Sequence, residues 1–185
     1  MSDIQITAEM TPNPNTLKFN IDRTVVESGA YDFPNRESAK DSYLANQLFE
    51  IPGVTGIYVA PNFITVTKTV DTAWQALVPP TIEKMKAALN SGEKLVSEAA
   101  KPSTNNAAGD GEVEQKIRQI LDEEIRPAVA RDGGDIVFYG YKDGVVTLHL
   151  QGACSSCPSS IMTLKMGVEH RLKQSIPEIR DVVQV

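Results

Sequence analysis

The chain opens on alternation. In "IQITAE", residues 4–9, apolar and polar side chains take turns as in a half-buried strand; "TPNPNT" (11–16) is dense in turn formers, and "LKFNI" (17–21) resumes the alternation. The two runs predict an antiparallel start. From Ala39 to Phe49 the spacing changes to that of a short helix, with Tyr43, Leu44, Leu48 and Phe49 turned toward a core. "GVTGIYV" and "FITVTK" then flank the turn "APN" as a hairpin. Beyond it, Asp71 is placed to cap a helix that carries Trp74, Leu77, Ile82, Met85 and Leu89 at near-helical spacing, in spite of Pro79 and Pro80 in its early turns.

The pattern stops at "KPSTNNAAGDGE", residues 101–112, where no large apolar residue occurs. Such a stretch buries too little surface to offset its ordering entropy, which predicts a flexible linker. The expected organisation is therefore a domain over 1–92, a linker over 93–111 and a second domain over 112–185. Periodicity resumes with Ile117, Ile120, Leu121 and Ile125 on one helical stripe, and Pro127 marks a break or a kink. "RDGGD" ends that helix with glycines suited to positive φ, and "DIVFYGY" and "VVTLHLQ" are strands joined at "KDG". A helix from Pro158 to about Lys173, with Ile161, Leu164, Val168 and Leu172 on one face, leads to a final strand in "IRDVVQV". The fold class is α+β: two small mixed domains, the second ordered α-β-β-α-β.

Charge narrows the function. The 185 residues carry 18 basic and 24 acidic side chains, a net charge of −6, which disfavours a surface that tracks nucleic-acid phosphates. No run approaches the roughly 18 apolar residues of a membrane span. "MSDIQITAEM" has neither the basic and apolar regions of a secretion signal nor the Arg-rich look of a transit peptide. The expected location is the bacterial cytoplasm, with a processed mitochondrial form left open.

The chemistry concentrates in "GACSSCPSS", residues 152–160, which holds both cysteines of the chain, Cys154 and Cys157. They lie between a strand and a helix start, where unpaired N–H groups and the helix dipole favour thiolate or bound sulfide. Gly152 and Ala153 leave room for something bulky beside the sulfurs. Two thiolates do not enclose a metal, but two copies related by a two-fold axis bring four together, enough for a [4Fe-4S] cluster or a four-cysteine zinc. A thioredoxin-like redox pair is the competing reading. Against it, only about eight residues follow Pro177, too few for the strand and helix that fold still needs, and Pro158 follows the pair instead of sitting within it. Two small core residues that happen to be cysteines are the bland reading.

The stretch from Leu121 to Val185, with its RDGGD and G-A-C-x-x-C-P-S-S signatures, closely resembles the NifU C-terminal, or Nfu, domain. "TPNPNTLKF", "LANQLFEIPGV" and "FITVTK" in the first half are similar to the Nfu N-terminal domain. The resemblance implies a non-enzymatic iron–sulfur cluster carrier. It implies Cys154 and Cys157 as the ligands from each protomer, a [4Fe-4S] cluster shared in a homodimer, donor assembly proteins upstream and apo iron–sulfur recipients downstream. Ser156 stands where the family often has glycine, and no IscU-like domain accompanies the two, so delivery fits better than assembly from a sulfur donor. Among the remaining candidates, His149 reads as a solvent-facing strand residue and His170 as surface. Asp132 and Asp135 read as helix-end and turn chemistry, and Trp74 as core. No catalytic triad, P-loop or dinucleotide fingerprint occurs.

Overall fold

A computed structural model of the chain describes residues 4–97, 100, 111–155 and 158–185. It divides into two units, Met1–Ser103 and Thr104–Val185. Of the predicted linker, residues 98, 99 and 101–110 lie outside the described residues.

The first unit is built on the two expected hairpins. Strands β1 (Ile6–Met10) and β2 (Thr16–Ile21) pair around the Asn-Pro turn, where Asn13 Oδ1 accepts from Asn15 N–H at 3.0 Å. Strands β4 (Val54–Val59) and β5 (Phe63–Lys68) form the second hairpin, and β5 joins β2 in a five-stranded antiparallel sheet of order β1-β2-β5-β4-β3. The edge strand β3 (Tyr31–Phe33) has no counterpart in the sequence reading; with three residues it is too short to show alternation.

Helix α1 (Tyr43–Phe49) is shorter than expected. A 3-10 turn, Arg36–Asp41, precedes it, and Ser42 stays extended between the two so that its Oγ accepts from Ala45 N–H at 3.1 Å as an N-cap. The restart sends Tyr43 outward, 39% exposed, while Leu44, Leu48 and Phe49 enter the core. Helix α2 (Trp74–Asn90) is capped by Ala73 without a side-chain hydrogen bond, so Asp71 is not its cap. Thr69 and Thr72 instead link hydroxyls at 2.7 Å in the approaching turn. Leu77 and Met85 are buried; Trp74, Ile82 and Leu89 pack on the same core, and Trp74 Nε1 donates to the Pro14 carbonyl at 3.0 Å. The first residues of the predicted linker belong to this unit: Leu95 O accepts from Ser42 Oγ at 3.0 Å, Ser97 N–H donates to Asp41 O at 2.8 Å, and Val96 is buried.

The second unit has the predicted order α-β-β-α-β. Its helical run comprises α3 (Glu112–Ile120), a π-type turn over Leu121–Ile125, and α4 (Arg126–Arg131). Pro127 lacks the N–H that a regular helix would need there, and the wider turn just ahead of it absorbs the mismatch, so the chain continues as helix and does not break. Strands β6 (Gly134–Lys142) and β7 (Val145–Gly152) form a hairpin whose two turn residues, Asp143 and Gly144, take φ of 52° and 84°. Strand β8 (Asp181–Gln184) runs parallel to β7, a pairing that requires a crossover, and helix α5 (Pro158–Ser175) supplies it. Ile117, Leu121, Val129, Phe138, Leu148, Val168 and Leu172 meet as one apolar core.

Candidate functional site: the loop between β7 and α5

The crossover places the cysteine motif where β7 hands over to α5. Gly152 ends the strand at φ 63°, a conformation that suits glycine and reverses the chain. Ser155 closes the reversal twice, its N–H and its Oγ both donating to Gly152 O, at 3.2 and 2.9 Å. Cys154 sits at the inside of this turn, 5% exposed, among the apolar residues of the second core. Ser156 and Cys157 lie outside the described residues.

The floor of the loop comes from "RDGGD", distant in sequence and adjacent in the fold. Asp132 closes α4, and Gly133 turns the chain at φ 81°. Gly133 O accepts from Ala153 N–H at 3.1 Å, tying the helix end to the cysteine turn. Gly134 follows, paired across the ladder with Gly152. A Cβ at residue 134 would stand 2.7 Å from Cys154 Sγ and 2.7 Å from the Gln151 carbonyl oxygen, so only glycine fits. Gly134 thus makes the space that the Cys154 sulfur occupies. The sequence reading assigned both glycines to positive φ; Gly134 is there for close approach instead. The signal was a glycine opening a strand that otherwise reads Ile-Val-Phe-Tyr.

An ion pair between the half-buried Arg126 and the buried Asp135 braces this floor. Asp135, 5% exposed, accepts from Arg126 Nε at 2.8 Å and from Arg126 Nη2 at 2.7 Å, a two-point contact that also holds the guanidinium against Asp122 at 3.1 Å. The Asp135 hydrogen bonds push the Arg126 pKa further above its already high value. Asp135 is therefore a structural anchor inside β6, and not the helix-end or turn residue that its place in the sequence suggests; Asp132 alone closes the helix. Arg126→Ala should cost roughly 2–3 kcal/mol in denaturant unfolding, because it strands a buried carboxylate, whereas the exposed Lys116→Ala should stay within about 0.5 kcal/mol. Equal stability of the two variants would contradict the brace.

The other candidates stand apart from the loop. His149 is half-buried, not open to solvent: its ring centroid lies 5.6 Å from that of Tyr139, and its Nδ1 lies 2.6 Å from Val185 O. His170 is exposed on α5, with Nε2 3.0 Å from Gln174 Nε2. Among the described residues no three His, Cys, Asp or Glu side chains come together to hold a metal ion. No described helix is long and apolar enough to cross a membrane.

Two family models match the chain in tandem. "Scaffold protein Nfu/NifU N terminal" covers residues 6–92 and "NifU-like domain" covers 117–183. Human "NFU1 iron-sulfur cluster scaffold homolog, mitochondrial" is 44% identical over 181 residues, spanning 97% of this chain and 71% of that protein. The Drosophila sechellia protein of the same name is 43% identical over 182 residues, and the chain spans 64% of its length. Arabidopsis thaliana "NifU-like protein 5, mitochondrial" is 39% identical over 184 residues, with 67% of its length spanned. Among solved structures, a NifU-like protein from Saccharomyces cerevisiae superposes with a TM-score of 0.47 at 28% identity, over 51% of this chain and 86% of that one.

Proposed function

Because the chain belongs to the Nfu family, an Nfu N-terminal domain followed by a NifU-like domain, we propose that it is a scaffold and carrier for iron–sulfur clusters. The cluster is its cargo, a [4Fe-4S] unit held between two copies by Cys154 and Cys157 of each, and the chain passes it on without catalysing a reaction. The observation that carries this reading is the nest of Cys154 beside Gly134: a sulfur seated at the end of a strand, with the second cysteine of the chain three residues on. Four thiolates satisfy a cubane cluster and two do not, so the ligand count calls for a partner chain.

Delivery follows from sharing. Separating the two copies withdraws two of four ligands at once, so a recipient whose own thiolates replace them exchanges ligands at iron with no change in the electron count. The recipients are apo iron–sulfur proteins and the donors are cluster-assembly proteins. The first unit contains neither cysteine nor histidine, and docking of donor or recipient is the role left to it. Tethering it to the cluster domain, residues 112–185, raises the local concentration of cargo at a docked partner. The mitochondrial names of the relatives fit the processed organelle form and lend no support to a bacterial cytoplasm.

Anaerobic reconstitution with ferrous iron and sulfide tests the reading. The expected product is brown, with about four iron atoms per two chains. A colourless protein holding about one zinc per two chains, or one that binds no iron and catalyses insulin reduction, would overturn it.

A further inference from the structure

Two charged side chains are buried among the described residues, Asp135 and Lys68. Asp135 has its counter-ion in Arg126. Lys68, 8% exposed at the end of β5, has none among the described residues, and Asp71, three residues on, is exposed and makes no ion pair with it. Lys68 Nζ donates to Asn15 Oδ1 at 3.3 Å and to Thr69 O at 3.2 Å, and it lies 5.5 Å from the centre of the Trp74 ring. All three partners are neutral, and the two long hydrogen bonds leave one N–H of the ammonium over. A buried charge without a counter-ion costs stability, so its presence at this place calls for a cause.

We propose that Lys68 and Trp74 form the centre of a docking surface on the first unit, and that its occupant is a side-chain carboxylate on an acidic, partly apolar segment of the recipient protein. The inference rests on the docking role given to this unit above. Charge complementarity selects the occupant: the ammonium lacks an anion of its own, and a carboxylate supplies it. The chain as a whole, at −6, repels an acidic recipient at long range, so a fixed cation is what gives such a partner a point of attraction. The ammonium is within a partner's reach. Asn15 and Trp74 are half-buried and Thr69 is exposed, so the covered stem of Lys68 brings its head to the rim of the unit and not into the core.

The setting is stiff and partly apolar. Lys68 N–H donates to Asn15 O at 2.8 Å, Trp74 Nε1 donates to Pro14 O at 3.0 Å, and Thr11 Oγ1 donates to Thr16 O at 2.8 Å. These bonds tie the Asn-Pro turn to the end of β5 and the start of α2, so little is left to order when a partner arrives. Pro12 and Pro14 are exposed on the turn, and Val70, two residues beyond Lys68, is 78% exposed. A cation beside an aromatic face, flanked by apolar groups that exclude water, is the composition of a binding hot spot. A carboxylate set down there is desolvated and paired in one step. The turn rich in Asn and Pro thereby has a task besides reversing the chain.

The test uses the full apo chain, its Lys68→Met variant and, as a control with the same change of net charge, Lys40→Met, whose lysine is exposed. The probe is an acidic apo-ferredoxin of the [4Fe-4S] type that lacks tryptophan, so that Trp74, the one tryptophan of the chain, reports on the site. The parent should bind it saturably, with a shift in Trp74 emission, and calorimetry should find Lys68→Met weaker by about tenfold or more and Lys40→Met unchanged. Thermal unfolding of Lys68→Met should occur at the parent's temperature or above, because the substitution removes an unpaired charge and leaves behind acceptors that water reaches. Weaker binding without a loss of stability is a combination that a structural clasp does not produce. A Lys68→Met chain that binds like the parent overturns the inference and leaves the docking role standing on some other surface. One that unfolds at a clearly lower temperature marks Lys68 as a clasp for the turn and overturns it too. A parent that does not bind the probe overturns the docking role along with the inference.

Discussion

Replacing either Cys154 or Cys157 by alanine should abolish cluster loading. Where the parent takes up about four iron atoms per two chains, each variant should retain iron near background after anaerobic reconstitution and desalting. The size of the effect comes from symmetry. A single substitution removes one thiolate from each copy, so the shared site drops from four ligands to two, and nothing else among the described residues gathers to replace them. The fold should survive: Cys154 contributes one small side chain to a core otherwise built from Phe138, Leu148, Val168, Leu172 and their neighbours, and its truncation costs on the order of 1 kcal/mol. Circular dichroism of the apo variants checks that point. A Cys154→Ala protein that assembles the parent's cluster would remove the residue from the ligand set.

Gly134→Ala should damage both stability and loading, although alanine is ordinarily a mild change in a strand. The added methyl would stand 2.7 Å from Cys154 Sγ and 2.7 Å from Gln151 O. The sulfur can rotate away; the carbonyl cannot, because it belongs to the β7 backbone paired with β6 through Asp135 and Gln151. Overpacking of this kind costs about 1–3 kcal/mol. It also displaces the sulfur proposed as a ligand, so the yield of reconstituted cluster should fall by more than the stability loss alone would produce. Gly140, on the same strand with nothing within 4 Å of a built Cβ, is the matched control: Gly140→Ala should stay within about 0.5 kcal/mol. Denaturant unfolding and iron content measured on the same two variants decide the matter, and indistinguishable behaviour would mean that the floor of the loop is not the constraint.

The elements that could be read from sequence are those whose signal is local. β1, β2 and the β4–β5 hairpin alternate over five or six residues each, and the Lys-Asp-Gly turn demands positive φ at positions that supply it. The second unit's order could be read for the same reason. Where the determinant was tertiary, the reading failed. β3 exists because β4 offers it an edge. Ser42 interrupts a run of helical periodicity because its hydroxyl can both cap α1 and donate to Leu95 O, a residue far along the chain. Asp71 looked like a cap by type, but α2 starts three residues later and needs none.

The candidate site divides along the same line. The proposed ligand pair stands out in the sequence because cysteines are few and their spacing is local; Gly134 and the Arg126–Asp135 brace do not, because what they do is hold a loop that comes after them by way of two strands. Two adjacent glycines after a helix suggest a turn, and one of them is. The other is set by the width of a sulfur atom. Only the fold brings that atom to it.

The most direct test of the account is the mass of the loaded protein, measured without air by native mass spectrometry. Two chains plus four iron and four sulfide, falling to single chains without metal when the cluster is chelated, is the predicted result. Iron and sulfide retained on a single chain, or a metal-loaded dimer that carries zinc and no sulfide, would contradict it.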